Sequence, residues 1–181
     1  DADEGIIKGL YKLIDQSDPK VTLIGSGSIL NEVIKAKTIL ELLGITADVW
    51  SATSFNMLRK DGMEKERFNE LNPTAKQKKT YVEECLPSSD TPVIAATDYM
   101  RAYPEQIRGF IKAPYYTLGT DGYGRSDSRQ KLREFFEVDA NNIARMAIYS
   151  LFRKGDISKK EITSFYKKLK VDPSKPNPWE V

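Results

Sequence analysis

Val21-Thr22-Leu23-Ile24-Gly25-Ser26-Gly27-Ser28, the run Ile29–Leu43 behind it and Asp48-Val49-Trp50-Ser51 together decide the fold. Val21–Ile24 is a short apolar run set between a turn (Gln16-Ser17-Asp18-Pro19-Lys20) and glycines, which reads as a buried strand. Ile29, Val33, Ala36, Leu40 and Leu43 then recur at helical spacing, Leu30 and Ile34 widen the stripe, and Gly44 closes it as a helix C-terminal glycine. Asp48–Ser51 is the next strand. Strand, helix and strand with short connections form a right-handed βαβ unit, and such a unit requires parallel pairing.

The rest of the chain repeats that alternation. Residues 3–14 mix apolar and charged positions and read as a lead-in holding a short helix, despite Gly5 and Gly9. Residues 54–86 read as mostly helical and charged, with Lys76-Gln77-Lys78-Lys79 a solvated basic face; no aromatics are interleaved for stacking on a nucleic acid. Pro87–Pro92 is a loop, Val93–Ala96 a strand ending at Thr97-Asp98, and Tyr99–Ile111 a helix with Pro104 near its start. Tyr115–Leu118 is a fourth strand, followed by a Gly-rich turn and a helix reaching about Glu137. Helices over Ala140–Lys154 and Lys159–Lys170 and an extended tail at 173–181 complete the reading. The class is α/β: an open, mostly parallel sheet with helices on both faces, the lead-in being the source for a fifth strand.

At 181 residues the chain suits one compact domain, and its net charge of +2 exerts no global pull on nucleic acid or membrane. No apolar run approaches the roughly 20 residues of a membrane span. The start, Asp1-Ala2-Asp3-Glu4, lacks the basic and apolar regions of a signal peptide, and without an initiator Met it is expected to belong to something longer. A lone Cys85, beside Glu83 and Glu84, fits a structural thiol in a reducing, cytoplasmic setting. The chain has no histidine. It therefore cannot build a Ser-His-Asp triad, a Cys-His pair or an imidazole acid–base of its own.

Three stretches invite a functional reading. Gly25-Ser26-Gly27-Ser28 begins like a dinucleotide fingerprint, but Leu30 stands where the third glycine belongs and Asp48 lies at the wrong end of the second strand. The bland alternative is a tight turn whose serines cap the helix. Thr120-Asp121-Gly122 with Asn141-Asn142 imitates the Gly-Asp-Gly…Asn-Asn signature of magnesium and thiamine diphosphate, yet the first glycine is missing and the asparagines come too soon. The densest stretch is Gly119–Arg129, with three glycines in six positions followed by arginines, aspartates and serines. Ser126, Asp127 or Ser128 would cap the helix that follows. Arg125 and Arg129 would face a carboxylate, a phosphate or a partner chain, against the alternative of a self-satisfied turn with Asp121 or Asp127 bonded inward and Tyr123 packed. Asp98, at a strand end, either serves the functional edge or caps the next helix.

Glu4–Gly9, Leu23–Leu30, Ala52-Thr53-Ser54-Phe55, Ala96-Thr97-Asp98-Tyr99-Met100, and Leu118–Arg129 followed by Phe136-Glu137-Val138-Asp139 together resemble the transketolase-like C-terminal domain of homodimeric bacterial pyruvate dehydrogenase decarboxylating components. The resemblance runs from about residue 4 to the tail. It implies a last domain, with residues 1–20 leading in from an upstream domain, 21–172 forming the α/β domain and 173–181 a tail. It implies thiamine diphosphate and magnesium in the full-length enzyme, none expected on this chain, and no catalytic, cofactor-binding or metal-binding residue here. The implied partners are the upstream domains, a second subunit and the dihydrolipoyl acetyltransferase component. Asp98, Asp121, Tyr123, Arg125, Ser126, Asp127 and Arg129 are the candidates for an interface or an active-site entrance. The alternative is a stand-alone nucleotide- or small-ligand-binding module using Gly25–Ser28.

Overall fold

In the computed structural model, which describes residues 2–86 and 88–180, the elements follow in the order α1 (Ala2–Lys8), β1 (Leu10–Ile14), β2 (Val21–Ser26), α2 (Leu30–Leu42), β3 (Ala47–Ala52), α3 (Phe55–Leu71), α4 (Tyr81–Cys85), β4 (Val93–Ala96), α5 (Ala102–Glu105), β5 (Tyr115–Leu118), α6 (Arg129–Phe135), α7 (Ala140–Lys154) and α8 (Lys159–Lys168). Asp1, Pro87 and Val181, which fall in the lead-in, the 87–92 loop and the tail of the sequence reading, lie outside the described residues.

The five strands form one sheet in the order β1-β3-β2-β4-β5. β2 pairs in parallel with β3, from Val21 opposite Ala47 to Ser26 opposite Ala52, and with β4 on its other side; β4 pairs in parallel with β5. β1 lies antiparallel on β3 at the edge. The lead-in thus supplies both the short helix and the fifth strand.

Alternation along each strand divides the core into two layers. Leu23, Val49 and Ile94 point to one face, where Val33, Ala36 and Leu40 of α2 and Ile143, Ala147 and Ile148 of α7 cover them. Ile24, Trp50 and Ala95 point to the other, under Phe55 and Leu58 of α3, Val82 of α4, and Ile107 and Phe110. Covered on both faces, β3 and β4 are buried throughout, as is β2 up to Gly25.

Polar side chains fix where the helices begin. Ser54 accepts from Met57 N–H, Thr80 and Glu83 form a reciprocal capping box on α4, and Ser158 and Glu161 form another on α8. Asp139 Oδ1 accepts from Asn142 N–H at 3.1 Å at the start of α7. Asp139→Ala should therefore cost about 1 kcal/mol in urea unfolding, while Asp139→Ser retains most of the stability.

Four expectations require correction. Tyr99–Ile111 is not one helix: only Ala102–Glu105 is α-helical, followed by a 3-10 turn at Arg108–Phe110. Residues 99–101 are held instead by the 119–121 loop, with Thr120 N–H donating to Tyr99 O and Asp121 accepting from Arg101 N–H, so helix can start only beyond them. Lys76–Lys79 lies in an exposed loop between α3 and α4, where Asn69 bonds both the N–H and the carbonyl of Lys78. The helix after Arg129 stops at Phe135. Finally, the tail contains two turns, and Lys175 Nζ donates to the carbonyls of Glu134 and Phe135 at the end of α6.

Candidate functional site at the switch point of the sheet

After β2 the chain crosses to β3 on one side, and it then returns to β4 on the other. The loops leaving β2 and β4 therefore diverge and open a crevice at the carboxyl ends of the strands, the position where open α/β sheets place their ligands. Ser28 stands on the first loop and Asp98 on the second. Ser28 Oγ donates to Asp98 Oδ2 at 2.9 Å and accepts from Arg133 Nη2 at 3.0 Å. The serines of this turn do not cap α2, and Asp98 caps no helix; Ser28 and Asp98 are bonded to each other instead.

Arg133 is itself anchored. Its Nη1 donates to Glu32 Oε1 at 3.0 Å, with both side chains largely buried. Glu32 Oε1 also accepts from Lys35 Nζ at 2.9 Å, and Oε2 accepts from Ala140 N–H at 3.2 Å. Burial pushes the Glu32 carboxyl up, but Lys35, the Ala140 N–H and Arg133 outweigh it and hold the group below the usual carboxylate range. One buried carboxylate thus ties together α2, α6 and the start of α7.

The 119–129 loop is fastened on two sides. A Cβ on Gly119 would stand 2.7 Å from both Tyr99 O and Arg101 N, so this glycine permits the approach of the two loops. Thr120 Oγ1 donates to Asp98 O at 2.8 Å, and Asp121 Oδ2 lies 3.3 Å from Arg101 Nε. Gly122, at φ +112°, sits against the carbonyl of Pro178 in the tail. Beyond it Arg125 stacks on the Phe135 ring, 4.4 Å from its centroid. Asp127 accepts from Ser128 N–H, and Ser128 is the residue that caps α6.

These elements enclose a cleft of about 350 Å³ lined by Ser28, Asp98, Thr120, Arg125 and Arg129 over a floor of Leu132, Phe136 and Val138. The structure brings Asp98, Arg125 and Arg129 to this one place. Asp121 turns away to Arg101, Ser126 and Asp127 lie exposed on the loop, and Tyr123 projects with 81% of its surface exposed rather than packing. Glu32 and Arg133 are the site members that the sequence reading missed, while Ser28 and Thr120 figured in it only within the two motif imitations.

Neither tempting motif provides a cofactor cradle. A Cβ on Gly25 would stand 2.7 Å from Leu30 Cα, so that glycine serves helix–strand packing. Asp48 accepts from Trp50 Nε1 at 3.0 Å, opposite Thr22 and away from the turn that would need it. Asp98, immediately beside Gly27, would repel a diphosphate. The donors of the magnesium imitation are committed too: Asp121 to Arg101, and Asn142 to Asp139 and Arg145. Among the described residues no three His, Cys, Asp or Glu side chains are placed to hold a metal. This residue set does not fit a metal–diphosphate group.

A mostly parallel sheet with a loop-built cleft at its switch point defines an open, doubly wound α/β domain. Within that class, the chain belongs to the transketolase-like TK C-terminal domain family, whose family model matches residues 9–139. It is 51% identical, over 98% of its length, to the pyruvate dehydrogenase E1 component of Pseudomonas aeruginosa, covering 21% of that protein. It is 44% identical over 99% of its length to the same component of Cupriavidus necator, and 45% over 98% to that of Escherichia coli K12, covering 21% and 20% of those proteins. The chain spans about a fifth of the length of these curated relatives. Among solved structures, a transketolase of Pichia stipitis superposes at a TM-score of 0.60 and 23% identity, covering 84% of this chain and 19% of that one. Leishmania mexicana transketolase superposes at 0.59 and 22%, covering 83% and 19%. These two likenesses establish the fold.

Proposed function

We propose that the chain is the C-terminal domain of a pyruvate dehydrogenase decarboxylating component, and that it supports subunit assembly and active-site architecture without performing chemistry itself. The observation that carries this reading is the alignment of 98% of the chain with pyruvate dehydrogenase E1 components at 45–51% identity in Escherichia coli and Pseudomonas aeruginosa. On this reading the full subunit decarboxylates pyruvate and passes the acetyl group to lipoyl groups of the dihydrolipoyl acetyltransferase component, in the cytoplasm. Thiamine diphosphate and magnesium are held by upstream domains, which supply the cofactor chemistry and the imidazole groups this chain lacks. Residues 1–20 lead in from those domains, 21–172 form the α/β domain and 173–181 pack back as a tail.

The contact surface follows from exposure. Tyr99, Met100 and Tyr123 are more than half exposed, Trp179 also, and Tyr103 stacks on Tyr99. They lie on residues 99–103, the 119–129 loop and the tail at the carboxyl edge of the sheet, where Thr120 N–H donates to Tyr99 O and Gly122 sits against Pro178 of the tail. A cluster of large apolar side chains on a rigid edge is the surface that buries against another domain or subunit, with Arg125 and Arg129 beside it at the interface or the active-site entrance.

The full-length subunit should reduce an artificial electron acceptor with pyruvate only when thiamine diphosphate and magnesium are supplied. The same subunit ended just before residue 1 should lose both dimerisation and turnover. Retention of both by the shortened subunit, or pyruvate turnover by the 181-residue chain alone, would overturn the supporting role.

A further inference from the structure

We infer that the switch-point cleft is a binding site for a small hydroxylated organic anion, a carboxylate or phosphate ester, with its anionic group on Arg125 and Arg129 and its hydroxyl on Asp98. The lining of the cleft combines both signs of charge, Asp98 with Arg125, Arg129 and Arg133. Arg133 is neutralised by Glu32, and the arginine ion pairs among the described residues use Arg101, Arg108, Arg133 and Arg145. Arg125 and Arg129 therefore bring two guanidinium groups to the cleft without a carboxylate against them. Arg125 is held by stacking on Phe135, which fixes its plane and leaves its N–H edges available.

Asp98, also in the lining, uses Oδ2 to accept from Ser28, and its backbone carbonyl accepts from Thr120. Oδ1 has no intramolecular donor among the described residues and faces the Gly27 turn, 3.6 Å from where a Cβ on Gly27 would stand. A second anion cannot settle there, whereas a hydroxyl donor can. The floor of Leu132, Phe136 and Val138 favours carbon over water beneath the ligand. A volume of about 350 Å³ lies at the small end of ligand pockets, so the occupant is compact. The loops on either side are bonded to each other through Thr120, Tyr99 and Asp98, so the cleft is preformed. The site is independent of which enzyme the full subunit is.

The test is an amide chemical-shift titration of the 181-residue chain with D-glycerate and with glycerol 3-phosphate, against glycerol and inorganic phosphate. One or both hydroxylated anions should shift the amides of Ser28, Asp98, Thr120 and Arg129 saturably, with a dissociation constant on the order of 1 mM or tighter. The tighter of the two identifies the carboxylate or the phosphate source. Arg125→Gln and Arg129→Gln, both at exposed positions, should each weaken binding about 10-fold or more, since each removes charge-assisted hydrogen bonds. Asp98→Asn should weaken the hydroxylated anions relative to inorganic phosphate, whose response should be retained or strengthened because a negative charge has left the lining. The spectra themselves report that each variant is folded. Shifts that are absent at tens of millimolar ligand, equal for glycerol, or unchanged in the double arginine variant would overturn the site.

Discussion

Glu32→Ala should lower the unfolding free energy by about 3 kcal/mol, the cost of breaking a largely buried ion pair by removing one partner. The substitution leaves the Arg133 guanidinium without a carboxylate, with only Ser28 as partner, and leaves the Ala140 N–H at the head of α7 without its acceptor. Glu32→Gln keeps an acceptor oxygen in place and should lose less than half as much. Arg133→Ala should also cost less, because Lys35 and the Ala140 N–H remain on Glu32. The acid limb supplies a second readout. The Glu32 carboxyl is held below the usual carboxylate range in the folded chain, so on acidification the unfolded chain takes up the proton first. Its contribution is full above the ordinary carboxylate pKa of about 4.3 and is lost as pH falls through the lower folded value. Glu83, Glu105 and Glu161 are lowered as well, so the informative quantity is the difference between wild type and Glu32→Gln across pH 5 to 2. Stability in the variant should fall less steeply. Equal slopes, or urea midpoints within error of wild type for Glu32→Ala, would mean that this carboxylate does not hold α2, α6 and α7 together.

What was legible in the sequence divides along a physical line. Val21–Ile24 and Val93–Ala96 are interior strands buried along their length, and their apolar runs needed no partner to be recognised. The helices after Gly27 and Asp139 carry strong stripes and end at glycines. β1 was harder, because an edge strand with Lys12 and Leu13 exposed shows no clean alternation. Tyr99–Ile111 failed because its first residues serve as the ledge for the 119–121 loop, a use that local periodicity does not record. The site shows the same divide. Asp98, Arg125 and Arg129 stood out through strand-end position and local composition. The Ser28–Arg133–Glu32 chain spans sequence separations of 105 and 101, and a serine after a strand looks locally like a helix cap. Only the topology of the sheet, which puts the β2 and β4 loops face to face, reveals the other use.

Gly25→Ala should cost about 3 kcal/mol, at the upper end for overpacking by a single methyl group. The new Cβ would lie 2.7 Å from Leu30 Cα and 3.0 Å from Val33 Cγ2, and Val33 is fully buried in the core beneath α2. Leu30 is the first residue of α2, and its clash is with backbone rather than with a movable side-chain tip. Gly25 lies in the central strand, paired with Ser51 on one side and Ala96 on the other, so β2 cannot move without disturbing both ladders. Gly124→Ala is the control: nothing lies within 4 Å of its Cβ position, and it should be neutral or stabilise by a few tenths of a kcal/mol. The pair of variants separates two accounts of the Gly25–Ser28 turn. If the glycine exists to admit a phosphate, Gly25→Ala leaves thermal unfolding near that of wild type and changes only nucleotide affinity. If it exists to let α2 close onto the sheet, the unfolding transition moves down sharply with no nucleotide present, and this second outcome follows from a contact made with backbone in a strand fixed on both edges.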